Sequence, residues 1–321
     1  MKQLKRLWMI AIGVFLVYIV GTVTWQLSQE RTFSVILIPK QLESVNDFWK
    51  LVIDGATEAS KAYEVKLEVL GPNKEGSYEV QKELIAKAIK KKPDAIILAA
   101  EDYEKTSIEA QKIKDQGIKL IVIDSGIKGK IEDVMIATNN FEAGIKMGYR
   151  IKKLLAKEGE VVIMNHSKST LTGIERERGI QVALSDMEER IVASYDCNSD
   201  TTTAYEKTIE AVNTYPDLKV VAALNQYTAL GAAQAIKMLD LSDEVKVVGF
   251  DNSIEQVKYL EEGIYDSLII QNPFYMGYMS VEQTVNLLRG EEVEVNLSIG
   301  STLITKENMY IGMNQRLLFP F

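Results

Sequence analysis

The sequence predicts an α/β protein of two doubly wound lobes, preceded by one transmembrane helix. From Phe33 onward, short continuous apolar runs alternate with longer amphipathic stretches, which is typical of buried parallel strands joined by helices. The chain has 321 residues, more than one hydrophobic core usually supports, so two folded lobes are expected. An apolar run without a charge lies near the N-terminus, at residues 7–23, and predicts the transmembrane helix.

The apolar run at residues 7–23 follows Lys2, Lys5 and Arg6, the positive-inside arrangement of a segment whose N-terminus stays in the cytoplasm. No A-x-A-like cleavage site follows the run, so we expect residues 1–30 to form a cytoplasmic stub and an uncleaved anchor. Cleavage just after the run is the alternative. The predicted location is therefore the cell membrane, single-pass, with the folded lobes outside the cytoplasm.

The apolar runs predict ten strands with helices between them. The strands cover residues 33–38, 65–70, 95–100, 119–123, 134–138, 161–165, 191–195, 220–225, 245–250 and 267–271. The helices lie near residues 47–62, 77–91, 104–116, 141–157, 173–188, 202–214, 227–239, 253–262 and 274–289. Pro93 and Pro216 follow two of the helices, and Gly117 ends another. Ten strands divide into two sheets of about five, whose ligands are expected at the carboxyl ends of the strands.

Composition excludes several classes of function. The formal net charge of -8 disfavours nucleic acid as a partner, since phosphates would be repelled. One cysteine, Cys197, and one histidine, His166, cannot form a disulfide framework or a site that needs two imidazoles, and both are interpreted as structural. No glycine-rich phosphate-binding motif occurs. The sequence therefore predicts no catalytic centre, no metal site and no cofactor.

Polar and aromatic residues lie at the predicted strand ends and in the adjoining loops. They are Asn46, Phe48, Trp49, Glu101, Asp102, Asp124, Arg176, Asn225, Asp251 and Gln271. Carboxylates and amides accept hydrogen bonds from sugar hydroxyls, arginine donates to sugar oxygens, and aromatic faces cover the C–H surface of a sugar ring. These residue types favour a monosaccharide as the ligand.

The order and spacing of these residues resemble a known family. The motifs are Asn46-Asp-Phe-Trp49, Ile121-Val-Ile-Asp124, Arg176-Glu-Arg-Gly179, Leu224-Asn225, Val247-Val-Gly-Phe-Asp251 and Ile270-Gln271. Over residues 33–310 the chain resembles the type I periplasmic sugar-binding proteins, the superfamily of ribose, galactose and xylose receptors. The resemblance implies two Rossmann-like lobes joined by a three-strand hinge. Lobe one would contain residues 33–138 plus 273–299, and lobe two residues 139–272 plus 300–321.

The resemblance also implies roles for particular residues. Phe48 and Trp49 would stack on the sugar, Asp124 would accept a hydroxyl, and Arg176 would donate from the second lobe. The full ligand-binding set implied is Asn46, Phe48, Trp49, Asp124, Ser125, Arg176, Asn198, Asn225, Asp251 and Gln271.

Two departures from the family pattern bear on the choice of sugar. Ser125 stands where ribose receptors often carry arginine, which makes ribose less favoured. Asn198 replaces an aromatic residue opposite the first stack, and Lys40, Glu101 and Asp102 are candidates to compensate. The nearest resemblance is to membrane-anchored D-xylose-binding co-receptors of a sensor histidine kinase.

Each assignment has a purely structural alternative. Phe48 and Trp49 could belong to the core at the start of a helix. Arg176 could pair on the surface with a neighbouring glutamate, and Asp251 could cap the helix that follows it.

Several functions remain open from the sequence. The first expectation is binding without chemistry, in which hinge closure on the sugar is presented to a sensor histidine kinase. Delivery of the sugar to an ABC permease is the runner-up. A transcriptional repressor of the same fold would need a basic helix-turn-helix head, and the apolar N-terminus lacks one. A glycoside hydrolase could use two carboxylates such as Glu101 and Asp251.

Overall fold

The computed structural model describes residues 32–42, 47–155 and 158–319, together with Gly13, Phe15 and Tyr18. The chain divides into two units, residues 1–33 and residues 34–321. In the first unit Gly13, Phe15 and Tyr18 are helical, and the side chains of Phe15 and Tyr18 are exposed. The fold described below is that of the second unit.

Twelve strands are present in the described residues of the second unit. They are β1 (Ser34–Ile38), β2 (Lys66–Val69), β3 (Ala95–Leu98), β4 (Lys119–Ile123), β5 (Val134–Thr138), β6 (Glu160–Asn165), β7 (Ile191–Asp196), β8 (Leu218–Ala223), β9 (Lys246–Phe250), β10 (Tyr265–Ile270), β11 (Asn296–Ile299) and β12 (Thr302–Thr305). They form two six-stranded sheets, in the orders β11-β5-β4-β3-β1-β2 and β12-β10-β9-β8-β6-β7. Every pair in the first sheet is parallel. In the second sheet β12 pairs antiparallel with β10.

Helices connect the strands and cover the faces of both sheets. They are α1 (Asp47–Ala62), α2 (Tyr78–Lys90), α3 (Lys105–Asp115), α4 (Asn140–Leu155), α5 (Leu171–Ala183), α6 (Thr201–Thr214), α7 (Gln226–Met238), α8 (Ile254–Glu262), α9 (Pro273–Arg289) and α10 (Met313–Leu318). The strands are buried on both faces: Val35 to Ile38 of β1 and Val161 to Met164 of β6 are at most 2% exposed. This burial explains why the strands are continuous apolar runs in the sequence.

Glycines allow two helix pairs to approach closely. A Cβ on Gly277 of α9 would lie 1.9 Å from the carbonyl oxygen of Val52 in α1. A Cβ on Gly144 of α4 would lie 2.2 Å from the carbonyl oxygen of Arg176 in α5. Only glycine leaves room for backbones at this separation. The α4–α5 contact holds the backbone of Arg176 in a defined position.

The chain passes between the two sheets three times, after β5, after β10 and after β11. The first two crossings are linked directly, because the hydroxyl of Thr138 donates a 2.7 Å hydrogen bond to the side-chain oxygen of Gln271. The α/β fold, with intervening helices and two sheets in which every strand but β12 is parallel, agrees with the sequence prediction of two α/β lobes.

The structure adds three elements that the sequence did not predict, namely β11, β12 and α10. The two strands have only four residues each and mix polar with apolar side chains, so they form no continuous apolar run. Each sheet therefore has six strands and not about five. The predicted helix at residues 173–188 begins earlier and ends at Ala183, and a short 3-10 turn follows at Glu188–Arg190.

The predicted location in the cell membrane is corrected by the structure. Over the residues it describes, no helix has both the length and the apolar character needed to cross a bilayer. The segment predicted to span, residues 7–23, itself lies outside the described residues apart from Gly13, Phe15 and Tyr18.

Candidate functional site

The site lies where the carboxyl ends of the strands of both sheets face each other. A small cavity of about 30 Å³ occurs there. Its wall is formed by Lys40, Phe48, Trp49, Glu75, Asp124, His166, Thr172, Arg176, Asn225, Asp251 and Gln271. The first five residues lie in the loops and the helix that connect strands of the first sheet. Most of the others follow strands of the second sheet. A ligand in this cavity would contact both lobes.

Two aspartates occupy matching positions in the two lobes. Asp124 directly follows β4 and has φ 59°, and Asp251 directly follows β9 and has φ 65°. Left-handed φ is uncommon for residues other than glycine, and in folded proteins it clusters at ligand sites. Both residues are at most 7% exposed. The backbone at each strand end therefore turns sharply and holds a carboxylate at the cavity.

The aromatic part of the wall comes from the first turn of α1. The rings of Phe48 and Trp49 meet edge to face, with centroids 5.0 Å apart and planes at 87°. The indole Nε1 of Trp49 donates a hydrogen bond to Oε1 of Glu75. Burial raises the pKa of Glu75, while Lys40 and the bond from Trp49 act in the opposite direction. Both aromatic residues are buried, as the core interpretation expects, and both lie on the cavity wall, where their contact with a ligand stays a prediction.

A buried ion pair supplies charge on the first-lobe side. The Nζ of Lys40 lies 3.1 Å from Oδ2 of Asp124, and both residues are at most 6% exposed. Burial lowers the pKa of Lys40, but Asp124, Glu75 and Glu101 raise it by more, so the net shift is upward. Lys40 therefore carries its charge at neutral pH, as a donor at the cavity wall.

The other candidates to compensate, Glu101 and Asp102, do not line this cavity. Oε2 of Glu101 accepts a 3.0 Å hydrogen bond from the backbone N–H of Gly76. Burial raises the pKa of Glu101 to about 8, opposed by Lys40 and supported by Glu75. Oδ1 of Asp102 accepts from the backbone N–H groups of Glu104 and Lys105, at the start of α3. Asp102 is thus part of a helix start.

Arg176 is the central cation of the second lobe. Its Nε donates a 2.8 Å hydrogen bond to Oδ1 of Asn140, and one terminal nitrogen donates at 2.6 Å to the carbonyl oxygen of Leu224. The guanidinium carbon lies 3.8 Å from the ring centroid of Phe250. Burial lowers the pKa of Arg176, and Asp251 opposes this shift. The side chain is 2% exposed, so the alternative of a surface ion pair is wrong.

Asp251 and Gln271 form one hydrogen-bonded unit. The Nε2 of Gln271 donates at 2.6 Å to Oδ1 of Asp251, whose Oδ2 accepts at 3.1 Å from the backbone N–H of Gln226. Burial raises the pKa of Asp251, and Arg176 lowers it. The helix that follows Asp251 is capped by Ser253, so the capping alternative for Asp251 is wrong.

Asn225 caps a helix and also lines the cavity. It is the N-cap of α7, where its Oδ1 accepts a 3.0 Å hydrogen bond from the backbone N–H of Thr228. Its Nδ2 donates at 3.2 Å to the hydroxyl of Ser199. The cap fixes the side chain on the cavity wall.

Two of the predicted ligand-binding residues, Ser125 and Asn198, are absent from the described wall of this cavity, and a third cannot be placed on it or off it. Asn46 lies outside the described residues. Ser125 is fully buried, and its hydroxyl has no hydrogen-bond partner within the described part of the chain. Asn198 is exposed and has φ 48°. Ser125 and Asn198 are absent from the described wall, so their predicted contact with a ligand has no geometric support here.

Three residues of the wall were neither in the predicted ligand-binding set nor among the candidates to compensate, namely Glu75, His166 and Thr172. The Nε2 of His166 lies 3.0 Å from the hydroxyl of Thr172, and Nδ1 has no hydrogen-bond partner among the described residues. Burial holds the pKa of His166 well below its ordinary value, and the positive charges of Arg176 and Lys40 lower it further. The ring is therefore neutral at pH 7. His166 directly follows Asn165, the last residue of β6, and this strand-end position was the available signal.

The wall is suited to recognising hydroxyl groups. It presents acidic, basic, amide and imidazole groups together with two aromatic rings, and charged partners make the stronger hydrogen bonds to a neutral ligand. No cluster of three or more metal-ligating side chains occurs in the part of the chain that the structure describes.

Direct contacts join the two lobes around the cavity. The backbone N–H of Tyr103 donates a 2.8 Å hydrogen bond to the carbonyl oxygen of Ser169. Lys74 forms a 3.2 Å ion pair with Asp200. The hydroxyl of Tyr227 on α7 donates to Oε1 of Gln41, which follows β1. These contacts hold the two lobes together around the cavity.

Comparison with known protein families and with individual proteins gives the same family. A family model described as a periplasmic binding protein domain matches residues 36–292. The D-allose-binding periplasmic protein of Escherichia coli is 24% identical over 290 residues, which are 87% of this chain and 93% of that protein.

Solved structures with the same fold include two of particular interest. A sugar transporter from Clostridium phytofermentans is 45% identical, with a TM-score of 0.81, and the match covers 86% of this chain and all of that one. A carbohydrate transporter solute-binding protein from Agrobacterium radiobacter, solved with D-arabinose, is 27% identical with a TM-score of 0.85. That match covers 90% of this chain and 100% of the other.

Proposed function

The chain belongs to the periplasmic binding protein domain family, and from that premise we propose that it is the sugar-binding component of an ABC transporter. It would bind one sugar ring between its lobes and deliver it to a permease. The relatives named above are described as sugar-binding or sugar-transport proteins and not as enzymes.

One observation carries this proposal. The cavity between the two sheets has polar groups from both lobes, with Asp124 and Lys40 on one side and Arg176 and Asp251 on the other. A ligand with hydroxyls around a ring can bond to both sides at once, and this stabilises the closed arrangement over an open one.

The sugar is proposed to be a pentose or an aldohexose. D-allose and D-arabinose are the sugars in the names of two relatives. D-xylose is the pentose that the sequence resemblance favours. All three present several hydroxyls on one ring, which matches the mixed donors and acceptors of the wall.

The other functions considered from the sequence have less support. A hydrolase would need its two carboxylates across one bond, whereas Glu101 bonds to Gly76 and is not among the residues that line the cavity. The sensor co-receptor depended on the membrane location that is corrected above, and we do not carry it forward.

Calorimetric titration of the full chain tests the proposal. D-xylose, D-arabinose, D-ribose, D-allose, D-galactose and D-glucose would be titrated separately, and saturable binding is expected for at least one of them. An absence of binding heat for all six sugars would contradict the proposed function.

Arg176→Lys tests whether the cavity is where the sugar binds. Lysine cannot reproduce the two directed bonds of the guanidinium, so the affinity is expected to fall by about 1–3 kcal/mol. Arg178→Lys, on the exposed face of the same helix, is the matched control and should bind as the unaltered chain does. Equal affinities for the two variants would place the sugar elsewhere.

A further inference from the structure

Glu75 lies on the wall of the sugar cavity, although the strand-end pattern of the sequence did not identify it. It belongs to the loop between β2 and α2, well after Val69, where β2 ends. Its side chain places an acidic group on the same wall as Trp49. The contacts around Glu75 show what this group is able to bind.

The first lobe anchors the loop at Glu75 and at the residue that follows it. Nε1 of Trp49 donates a hydrogen bond to Oε1 of Glu75 itself. The backbone N–H of Gly76 donates a 3.0 Å hydrogen bond to Oε2 of Glu101. Because Nε1 is on the edge of the indole ring, the carboxylate is held beside that edge, and the faces of the ring remain for other contacts.

The second lobe meets the same loop on both sides of Glu75. Before it, Nζ of Lys74 lies 3.2 Å from Oδ2 of Asp200. After it, a Cβ on Gly76 would lie 2.9 Å from Oδ1 of Asn198, so the backbone of Gly76 packs closely on that side chain. The position of the Glu75 carboxylate therefore depends on both lobes.

The carboxylate of Glu75 has acceptor capacity that the protein does not use. Burial raises its pKa, whereas Lys40, the bond from Trp49 and a bond from Ser199 lower it. An ionised carboxylate offers about four acceptor positions and donates no hydrogen bond. Two protein donors fill only part of this capacity, so a ligand that bonds to Glu75 must bring a donor of its own.

The charge on this part of the wall narrows the kind of donor. Glu75 and Asp124 are both acidic, and the one ion pair of Lys40 in the described part of the chain is with Asp124, at 3.1 Å. A carboxylate or a phosphate on the ligand would be repelled by the remaining negative charge. A sugar hydroxyl donates without carrying a charge and fits this position.

We propose that Glu75 is a specificity-determining residue, whose carboxylate accepts a hydrogen bond from one hydroxyl of the sugar ring that stacks on Trp49. The proposal rests on the proposed sugar-binding function and adds a contact to the same site. A site that bonds to a hydroxyl rejects an analogue without it, because the buried acceptor is then left without a partner.

The test removes one ligand hydroxyl at a time and measures affinity by calorimetry on the full chain. The probes are whichever of the six sugars named above binds, called the parent sugar, and its monodeoxy analogues. If D-xylose is the parent sugar, the analogues are 2-deoxy-, 3-deoxy- and 4-deoxy-D-xylose. At least one analogue is expected to bind about tenfold or more weakly than the parent sugar.

Glu75→Gln decides whether the lost partner is Glu75. Glutamine keeps an acceptor for Trp49 but has no charge, so the affinity for the parent sugar is expected to fall by about tenfold. For the one analogue that lacks the hydroxyl bound by Glu75, the same substitution should change the affinity by less than about twofold. Glu79→Gln, on an exposed side chain of α2, is the matched control and should bind every sugar as the unaltered chain does.

Glu75→Ala is a second variant that removes the acceptor altogether, and it should give the same pattern with a larger loss for the parent sugar. If both variants weaken the parent sugar and every analogue by the same factor, Glu75 supports only the fold and the inference is overturned, while sugar binding stands. Equal affinities of Glu75→Gln and Glu79→Gln for the parent sugar would also overturn it. If none of the six sugars binds to the unaltered chain, the proposed function itself fails, and the role of Glu75 with it.

Discussion

At the scale of single residues, the site consists of polar groups that the backbone holds in a buried place. Asp124 and Asp251 each adopt a left-handed φ at the end of a strand, and this conformation costs of the order of 1–3 kcal/mol for a residue other than glycine. Each carboxylate is bonded in return, Asp124 to Lys40 and Asp251 to Gln271. The cost in backbone energy is therefore offset by contacts that hold both carboxylates at the cavity.

Glu101 gives the protein a pH dependence with a definite sign. Its pKa in the folded chain is about 8, raised from an ordinary value of 4.5 by burial. Between these two pKa values the folded state keeps a proton that the unfolded chain has released. The contribution to stability is complete below the unfolded pKa and is lost as the pH rises through about 8.

We predict that the free energy of unfolding falls between about pH 5 and pH 8, and that Glu101→Gln makes this fall shallower. Glutamine has no proton to lose and can still accept from Gly76. Urea unfolding at several pH values measures the effect. Glu104→Gln, on an exposed side chain of the neighbouring turn, is the control and should keep the original slope. Parallel curves for the unaltered chain and Glu101→Gln would contradict the prediction.

At the scale of elements, close packing between helices places α9 in the first lobe. The helix α9 follows the last parallel strand of the second sheet, yet it packs on α1 beside the first sheet, with Gly55 and Gly277 at the contact. A Cβ on Gly55 would lie 2.0 Å from the carbonyl oxygen of Phe274. Backbone atoms on the other helix cannot move aside as a side chain would.

Gly277→Ala is expected to lower the free energy of unfolding by about 1–3 kcal/mol, because the added methyl group forces α9 away from α1. Gly300→Ala is the matched control, since a Cβ at that position meets no atom within 4 Å. Denaturant midpoints of the two variants measure the difference. A Gly277→Ala variant as stable as Gly300→Ala would show that the helices separate at little cost.

At the scale of the whole molecule, a hydrogen bond and an ion pair across the cleft connect the two lobes. Tyr227 and Gln41 lie on opposite lobes, as do Lys74 and Asp200. Since Lys74 is largely exposed, its ion pair contributes little to stability. The bond from Tyr227 is half-buried and has more influence on the balance between open and closed forms.

Tyr227→Phe is expected to weaken sugar binding by about 0.5–1.5 kcal/mol, because the closed form loses one hydrogen bond between the lobes. Tyr149→Phe, an exposed tyrosine on α4, is the control and should leave the affinity unchanged. Calorimetry gives the affinities, and small-angle scattering with and without sugar gives the change in radius of gyration. If Tyr227→Phe binds sugar as tightly as Tyr149→Phe does, this bond has no part in closure.

Much of this architecture could be predicted from local patterns. The apolar run at Val35–Ile38 predicts β1 because a strand buried on both faces must be apolar throughout. Asp124 and Asp251 were predicted as site residues because they directly follow such strands, and Arg176 because its motif resembles that of the family. All three lie on the cavity wall. In contrast, β11 and β12 are too short and too polar to be predicted from their own residues.

The sequence by itself determined the alternation of strands and helices and the strand ends at which polar groups meet, because these follow from the periodicity of a few consecutive residues. Only the tertiary structure decided that Glu75 bonds to Trp49, that His166 faces the sugar cavity, and that Lys74 pairs with Asp200. Each of these depends on groups brought together from distant parts of the chain. Such contacts arise from packing within and between the lobes, which no local pattern of side chains records.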